Sequence, residues 1–160
     1  MAKILVVYDS GTGNTEAMAK AVAEGVRIGG GEVVVKRVDE VNIDELPGFD
    51  GIILGSPTYF GSMSSKMKGF IDKSVKVRRK LENKVGAAFT SSGSPFGGNE
   101  TTLFSLIQAL MIHGMIIVGD PISAGGHYGV ASVGKPNEED IENCKALGKR
   151  VATIAEKLIK

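Results

Sequence analysis

Cysteine is nearly missing from this chain of 160 residues. Cys144 stands alone, which excludes an intramolecular disulfide and a cysteine-rich metal centre. Its place in a helical pattern makes it a small, inert residue. No apolar run approaches the length that spans a bilayer, and Met1-Ala2-Lys3 leads into a strand without the regions of a secretory signal. These lacks predict a soluble, cytoplasmic protein with no membrane partner. An excess of charge is missing too: 19 Lys and Arg stand against 18 Asp and Glu, a formal net charge of +1. Nucleic-acid binders are plainly basic as a rule, so nucleic acid is not an expected partner. The length suits one domain with a real core and is too short for two.

What the chain does have begins at Ile4-Leu5-Val6-Val7-Tyr8, an apolar, β-branched run that suits a strand covered on both faces. Ser10-Gly11-Thr12-Gly13-Asn14-Thr15 follows, and Glu16 to Ala23 begins a good helix former. A loop placed so gathers free backbone N–H groups and the positive end of a helix dipole at one point, a ready anion site. Ser10, Thr12 and Thr15 add hydroxyls, Asn14 an amide, and the two glycines let the backbone curl round a small tetrahedral group. The loop lacks the Lys that a nucleotide-triphosphate loop uses to reach the outer phosphates. Glu16 stands where a dinucleotide fingerprint needs its third Gly, although Asp39 falls near the distance of a ribose-binding acid. A single terminal phosphate fits better, with a plain strand-to-helix turn as the alternative.

Downstream, Gly29-Gly30-Gly31 stops the helix, Glu32–Val38 reads as an edge strand, and Gly51–Gly55 as a central one. Ile43 and Leu46 are expected core plugs in the polar stretch between them. Helical spacing over Ser65 to Val77 puts Met67, Phe70, Ile71 and Val75 on a buried face. Val85–Thr90 is a fourth strand, and Asn99 is the expected cap of a helix from Glu100 to about Ile112, stopped by Gly114. Met115–Val118 is a fifth strand, residues 119–135 a long Gly-rich loop, and Asn137 caps a last helix. Strands alternating with helices predict an α/β, doubly wound, mostly parallel sheet with helices on both faces. Ligands in such folds bind outside the carboxyl ends of the strands. The loops after the first, third and fourth strands are the ones concerned, and they are the chain's richest in Gly, Ser and Thr.

In the second of these, Tyr59 and Phe60 stand between Pro57 and Gly61; they either present faces to a planar ring or plug the sheet end. In the third, Ser91-Ser92-Gly93-Ser94-Pro95-Phe96-Gly97-Gly98 leaves N–H groups free to hold the carbonyl-rich edge of a ring. A phosphate, a hydroxylated linker and a flat ring with a hydrogen-bonding edge together describe FMN. The run Lys76–Lys80 reads as a solvated basic face.

The residues also resemble a known family. Ser10–Thr15 is similar to the phosphate loop of flavodoxins. Gly55–Ser64, then Phe89–Gly93, then His113-Gly114-Met115 resemble the WrbA-type NAD(P)H:quinone oxidoreductases of the flavodoxin-like superfamily, as does Val33–Val38. The resemblance implies a five-stranded sheet in the order 2-1-3-4-5 and an FMN site. Ser10, Gly11, Thr12, Gly13, Asn14 and Thr15 would hold the phosphate. Pro57, Thr58, Tyr59, Phe60 and Gly61 would meet the ring, and Ser91, Ser92, Gly93, Ser94, Phe96, Gly97 and Gly98 its polar edge and ribityl chain. His113 matches a family position close to the flavin; read without the resemblance, it is a favourable charge at a helix C-terminus. His127 and Tyr128 fall in a segment similar to the family's Gly-Tyr-Gly loop near the nicotinamide and quinone. The connections before Gly51 and between Val118 and Gly126 are shorter than usual in that family. Tryptophan is absent, where the family places one at a neighbouring subunit's substrate pocket. The expected activity is electron transfer from NADH or NADPH through FMN to a quinone, in a dimer or tetramer. The alternative is a flavodoxin-type carrier serving a redox-partner protein.

Overall fold

Apolar and amphipathic segments become strands and helices in the computed structural model, which describes residues 1–160, with only 3-10 turns between the second and third strands and between the fifth and sixth. The strands are β1 (Lys3–Tyr8), β2 (Glu32–Arg37), β3 (Gly51–Pro57), β4 (Val85–Ser92), β5 (Ile116–Ile117) and β6 (Val130–Val133). The helices are α1 (Asn14–Ile28), α2 (Ser65–Lys73), α3 (Asn99–Ile112) and α4 (Glu138–Leu158). All pairings are parallel, in the order β2-β1-β3-β4-β5. That is the flavodoxin-like order expected from the sequence, with one strand more.

The extra strand is β6, inside the stretch expected to be a long loop. It pairs with the upper half of β4, from Phe89↔Val130 to Ser92↔Val133, while β5 pairs only with Val85 and Gly86. The last position of the sheet is therefore filled by two short strands, separated by residues 118–129. Val130-Ala131-Ser132-Val133 is too brief and too mixed in polarity to stand out among the glycines around it.

Strand alternation sends side chains into two cores. Ile4, Val6, Ile53, Ala87 and Phe89 pack under α1 and α4, and Leu5, Val7, Ile52, Leu54 and Ala88 pack under α2 and α3. Cys144 is fully buried in the first core, which pushes its thiol up to about 12 and makes it inert. Leu46 is buried as expected, with Ile43 packed against the second core. Val75 departs from expectation. The α-helix ends at Lys73 and a 3-10 turn over Ser74–Val77 rotates Val75 outward, leaving it 68% exposed. The cap of α3 also differs. Gly98, at φ +102°, holds the capping position, and Asn99 is the first helical residue. At α4 the expected cap forms in full: Asn137 Oδ1 accepts from Asp140 N–H at 2.8 Å, and Asp140 Oδ2 from Asn137 N–H at 3.0 Å.

The helices α1 and α4 touch backbone to backbone. A Cβ on Gly25 would come 2.0 Å from the Lys145 carbonyl oxygen, and one on Gly148 would come 2.0 Å from that of Val22. Neither carbonyl can move without disturbing its helix. Gly148→Ala is therefore expected to destabilise the fold by about 2–3 kcal/mol. Gly69→Ala, in open space on α2, should stabilise it by about 0.5–1 kcal/mol. Urea unfolding of the two variants checks the opposite signs; a Gly148→Ala variant as stable as the parent would refute the close crossing.

Candidate functional site

The first loop leaves the sheet at Asp9, whose N–H donates to the Gly55 carbonyl at 3.0 Å. Ser10 Oγ then accepts from the N–H groups of Gly13 (3.1 Å) and Glu16 (3.3 Å), closing the loop onto the start of α1. Gly13 sits at φ +95°, a conformation costly for any residue with a Cβ. Asn14 and Thr15 form the first helical turn rather than loop. The amides of Gly11, Thr12, Asn14 and Thr15 have no hydrogen-bond partner within the protein. Four such donors at the N-terminus of a 15-residue helix make the cradle expected from the sequence.

The second loop follows Ser56 and Pro57, which are the last residues of β3. Tyr59 and Ser62 exchange backbone hydrogen bonds of 3.0 and 3.1 Å, with Phe60 (φ +50°) and Gly61 (φ +74°) at the turn. Two positive φ values make this a mirror-image hairpin turn, a strained conformation for an aromatic residue. Tyr59 is half-exposed and Phe60 fully exposed, so neither plugs the core. A Cβ on Gly11 would lie 2.9 Å from the Tyr59 hydroxyl, and one on Gly98 would lie 2.6 Å from Gly61 Cα. The second loop thus touches both of the others.

The third loop is shorter than the sequence suggested. Ser91 and Ser92 belong to β4, are buried, and pair with Ser132 and Val133 of β6. Their amides are consequently engaged in the sheet. Free donors begin beyond them, at Gly93, Ser94, Phe96 and Gly98, whose amides lack protein partners; Gly97 N–H donates to the Ser94 carbonyl at 3.1 Å. Phe96 is fully exposed.

Hydroxyls buried below fasten the loops together. Thr15 Oγ1 lies 2.8 Å from Ser91 Oγ, and Thr58 Oγ1 lies 2.8 Å from Thr90 Oγ1. Thr90 Oγ1 donates to the Ser56 carbonyl at 2.7 Å, and Thr58 N–H to the Ser91 carbonyl at 2.7 Å.

His113 is not brought to this cluster within its own chain. It caps the C-terminus of α3, so the 14 residues of that helix, about 21 Å, separate it from the third loop. Burial, then the neighbouring Arg78, lowers its pKa from the ordinary 6.5, which disfavours the reading as a helix-terminal charge. Its Nε2 lies 2.7 Å from Ser74 Oγ, and its Nδ1 is buried without a partner.

His127 and Tyr128 line a cavity of about 290 Å³ with Asn99, Leu103, Asp120 and Asn143. Asp120 is almost wholly buried and accepts from His127 N–H at 2.8 Å. Its other oxygen lies 2.9 Å from His127 Nδ1, which sets the imidazole with Nε2 unpaired. Arg150 Nη1 holds the carbonyls of Gly119 (2.9 Å) and Asp120 (3.1 Å). Asn99 Oδ1, also on this cavity, is buried without a partner.

Three contributors are not evident from the sequence: Asp120, Asn99 in this role, and Arg37. Arg37 stands opposite Tyr8 at the end of β2, with Cζ 5.7 Å from the Tyr8 ring centre and Nη2 donating to the Ser10 carbonyl at 3.3 Å. Tyr8 Oη donates to Glu16 Oε1 at 2.9 Å; burial, then that bond, raises its pKa. The signal for Arg37 was present in the strand order. A β2 beside β1 delivers its last residue to the loop that follows β1.

A family model described as NADPH-dependent FMN reductase matches residues 40–129. A protein of Archaeoglobus fulgidus named NAD(P)H dehydrogenase (quinone) is 48% identical, the alignment taking in 99% of this chain and 100% of that one. It runs to 190 positions, which a chain of 160 residues meets only with gaps at 30 or more. A protein of the same name from Methylocella silvestris is 39% identical, with 99% of each chain covered. Among solved structures, the flavodoxin, WrbA-like protein from Agrobacterium tumefaciens superposes with a TM-score of 0.86 at 33% identity, covering 98% of this chain and 99% of that one. A flavodoxin from the domain Archaea gives 0.81 at 30% identity, covering 96% and 99%.

His113 generates a prediction about stability. A histidine whose folded pKa is depressed is held neutral by the fold, while the unfolded chain takes up a proton near pH 6.5. Its contribution is present above pH 6.5 and is lost as pH falls from there through the lower folded value. His113→Gln is expected to lose less melting temperature between pH 7 and pH 5 than the parent; parallel losses would show that His113 does not govern that window.

Proposed function

The chain belongs to the NADPH-dependent FMN reductase family, and from that premise we propose that it is an FMN-dependent oxidoreductase carrying electrons from NAD(P)H to a quinone. The observation that carries this reading is the convergence of three loops with unpartnered amides at one end of the sheet. A group with one phosphate and a polar-edged ring fits that donor set. When bound, FMN supplies the chemistry, accepting a hydride from the nicotinamide and releasing two electrons to the acceptor.

The protein's own part is binding and orientation. The amides of Gly11, Thr12, Asn14 and Thr15 and the hydroxyl of Thr12 hold the phosphate. Tyr59, Phe60 and Gly61, with Thr58 below, flank the ring. The amides of Gly93, Ser94, Phe96 and Gly98 face its carbonyl edge, where negative charge collects on reduction. His127, Tyr128 and Asn99 receive the acceptor in their cavity. A quinone that gains a hydride equivalent still needs one proton to become the neutral hydroquinone. His127, braced by Asp120, donates it from Nε2 and recovers it from water.

On the same reading the chain is a single FMN-binding domain. The protein is assigned to the cytoplasm, in keeping with the lack of any helix long and apolar enough to cross a membrane. Exposed Met111 and Ile112 on α3, together with Val75, support assembly as a homo-oligomer. The flavodoxin at TM-score 0.81 keeps a second reading in view, a one-electron carrier without nicotinamide activity of its own.

Anaerobic mixing of the FMN-loaded protein with NADH, and separately with NADPH, tests the function. Rapid full bleaching of the flavin, reversed by a quinone, is expected. No bleaching, with a stable semiquinone on photoreduction, would identify a carrier instead. Thr12→Val should weaken FMN binding by roughly 1–3 kcal/mol, and unchanged affinity on titration would remove that hydroxyl from the phosphate assignment. His127→Gln should slow reoxidation by a quinone about 10²-fold and leave reduction by NAD(P)H intact. Equal slowing of both half-reactions would deny His127 the proton.

A further inference from the structure

A loop that receives a phosphate dianion here carries no cation of its own, and Asp9 and Glu16 lie beside it. Asp9 is 6% exposed and Glu16 stands in the first turn of α1. Lys20 offsets Glu16 from one turn further along, at 3.9 Å. The cation bonded to the loop itself is Arg37, from another strand.

Arg37 bonds the carbonyl of Ser10, and that carbonyl belongs to the same planar peptide as the N–H of Gly11. In a trans peptide the two groups point in opposite directions. A guanidinium seated on the oxygen therefore turns the Gly11 N–H to the opposite side of the strand of backbone, where it has no protein partner. The same contact polarises the peptide and makes that N–H a stronger donor. Tyr8 holds the guanidinium from beneath through its ring face, and the Tyr8 hydroxyl is tied to Glu16. Asp39 is the sole carboxylate paired with the guanidinium, at a loose 3.8 Å from Nε. Most of the five N–H donors of Arg37 are thus unspent, and its side chain is 35% exposed.

We propose that Arg37 is a positioning residue for phosphate: it aims the Gly11 amide into the loop and supplies, one peptide away, the positive charge that the loop lacks. The chemical class it selects is a flavin bearing a terminal phosphate monoester over the same flavin without one. This rests on the FMN reading above, and the two fail separately.

The test compares FMN with riboflavin, which shares the ring and ribityl chain but has no phosphate. Titration of the apoprotein with each, at about 20 mM and about 500 mM salt, is repeated for Arg37→Gln and Arg37→Lys. Arg37→Gln is expected to weaken FMN roughly fivefold to twentyfold at low salt, with much of the difference gone at high salt. Riboflavin affinity should not change. Arg37→Lys, keeping the charge without the fork, should fall between. Asp39→Asn, which releases the guanidinium from its loose partner, should tighten FMN at low salt and leave riboflavin alone. That variant keeps the test open if Arg37→Gln does not fold. Equal weakening of both flavins would make Arg37 merely structural, and an unchanged FMN-to-riboflavin preference in Arg37→Gln, or in Asp39→Asn where that variant alone folds, would overturn the proposal. A parent chain that takes up neither flavin would overturn the functional reading itself.

Discussion

Hydroxyl groups buried beneath the three loops hold the site in one arrangement. Thr15 reaches Ser91, Thr58 reaches Thr90, and Thr90 donates to the Ser56 carbonyl, so α1, β3 and β4 are joined where their loops begin. Each such bond contributes on the order of 1 kcal/mol, but leaving one of these oxygens unpaired in the interior costs more than that. The asymmetry matters because any shift of one loop against another would strand a buried donor or acceptor. Phe89, fully buried over Gly55 in the neighbouring strand, sets the spacing below them. The free amides above are preorganised by these buried hydroxyls.

That support lets the loops carry unfavourable local features. Phe60 is held at φ +50° and fully exposed, two costs that folding alone gives no reason to accept. Gly98 approaches Gly61 so closely that it tolerates no side chain at the contact. Strain, exposed aromatic surface and unpaired donors occur together at the carboxyl end of the sheet, where a bound ring and phosphate would relieve the last two.

Much of this was legible in the sequence. The strand–loop–helix unit at Ile4–Val26 and the three converging loops rest on local patterns (continuous apolar runs, glycines, hydroxyls and caps), and the sheet order was implied by the family resemblance. Long-range pairings were not legible. β6 was hidden because Val130–Val133 carries no clear periodicity and owes its strand to the free edge of β4. The same pairing removed Ser91 and Ser92 from the loop. Asp120 looked like a loop residue and is a buried brace for His127, since only folding brings seven residues back on themselves. His113, assigned by likeness, lies at the far end of α3 in its own chain because helix length sets its height.

The split last strand also bears on how the protein behaves when crowded by copies of itself. A sheet margin with a continuous row of unpaired backbone groups is a template for strands from other molecules. Here one margin, β5, offers only two residues before the chain turns away, and the other, β2, is six residues long with Glu32 at one end and Lys36 and Arg37 at the other. Neither margin presents a long, flat, neutral ribbon. The interruption between β5 and β6 thus guards the folded chain against fibrous stacking.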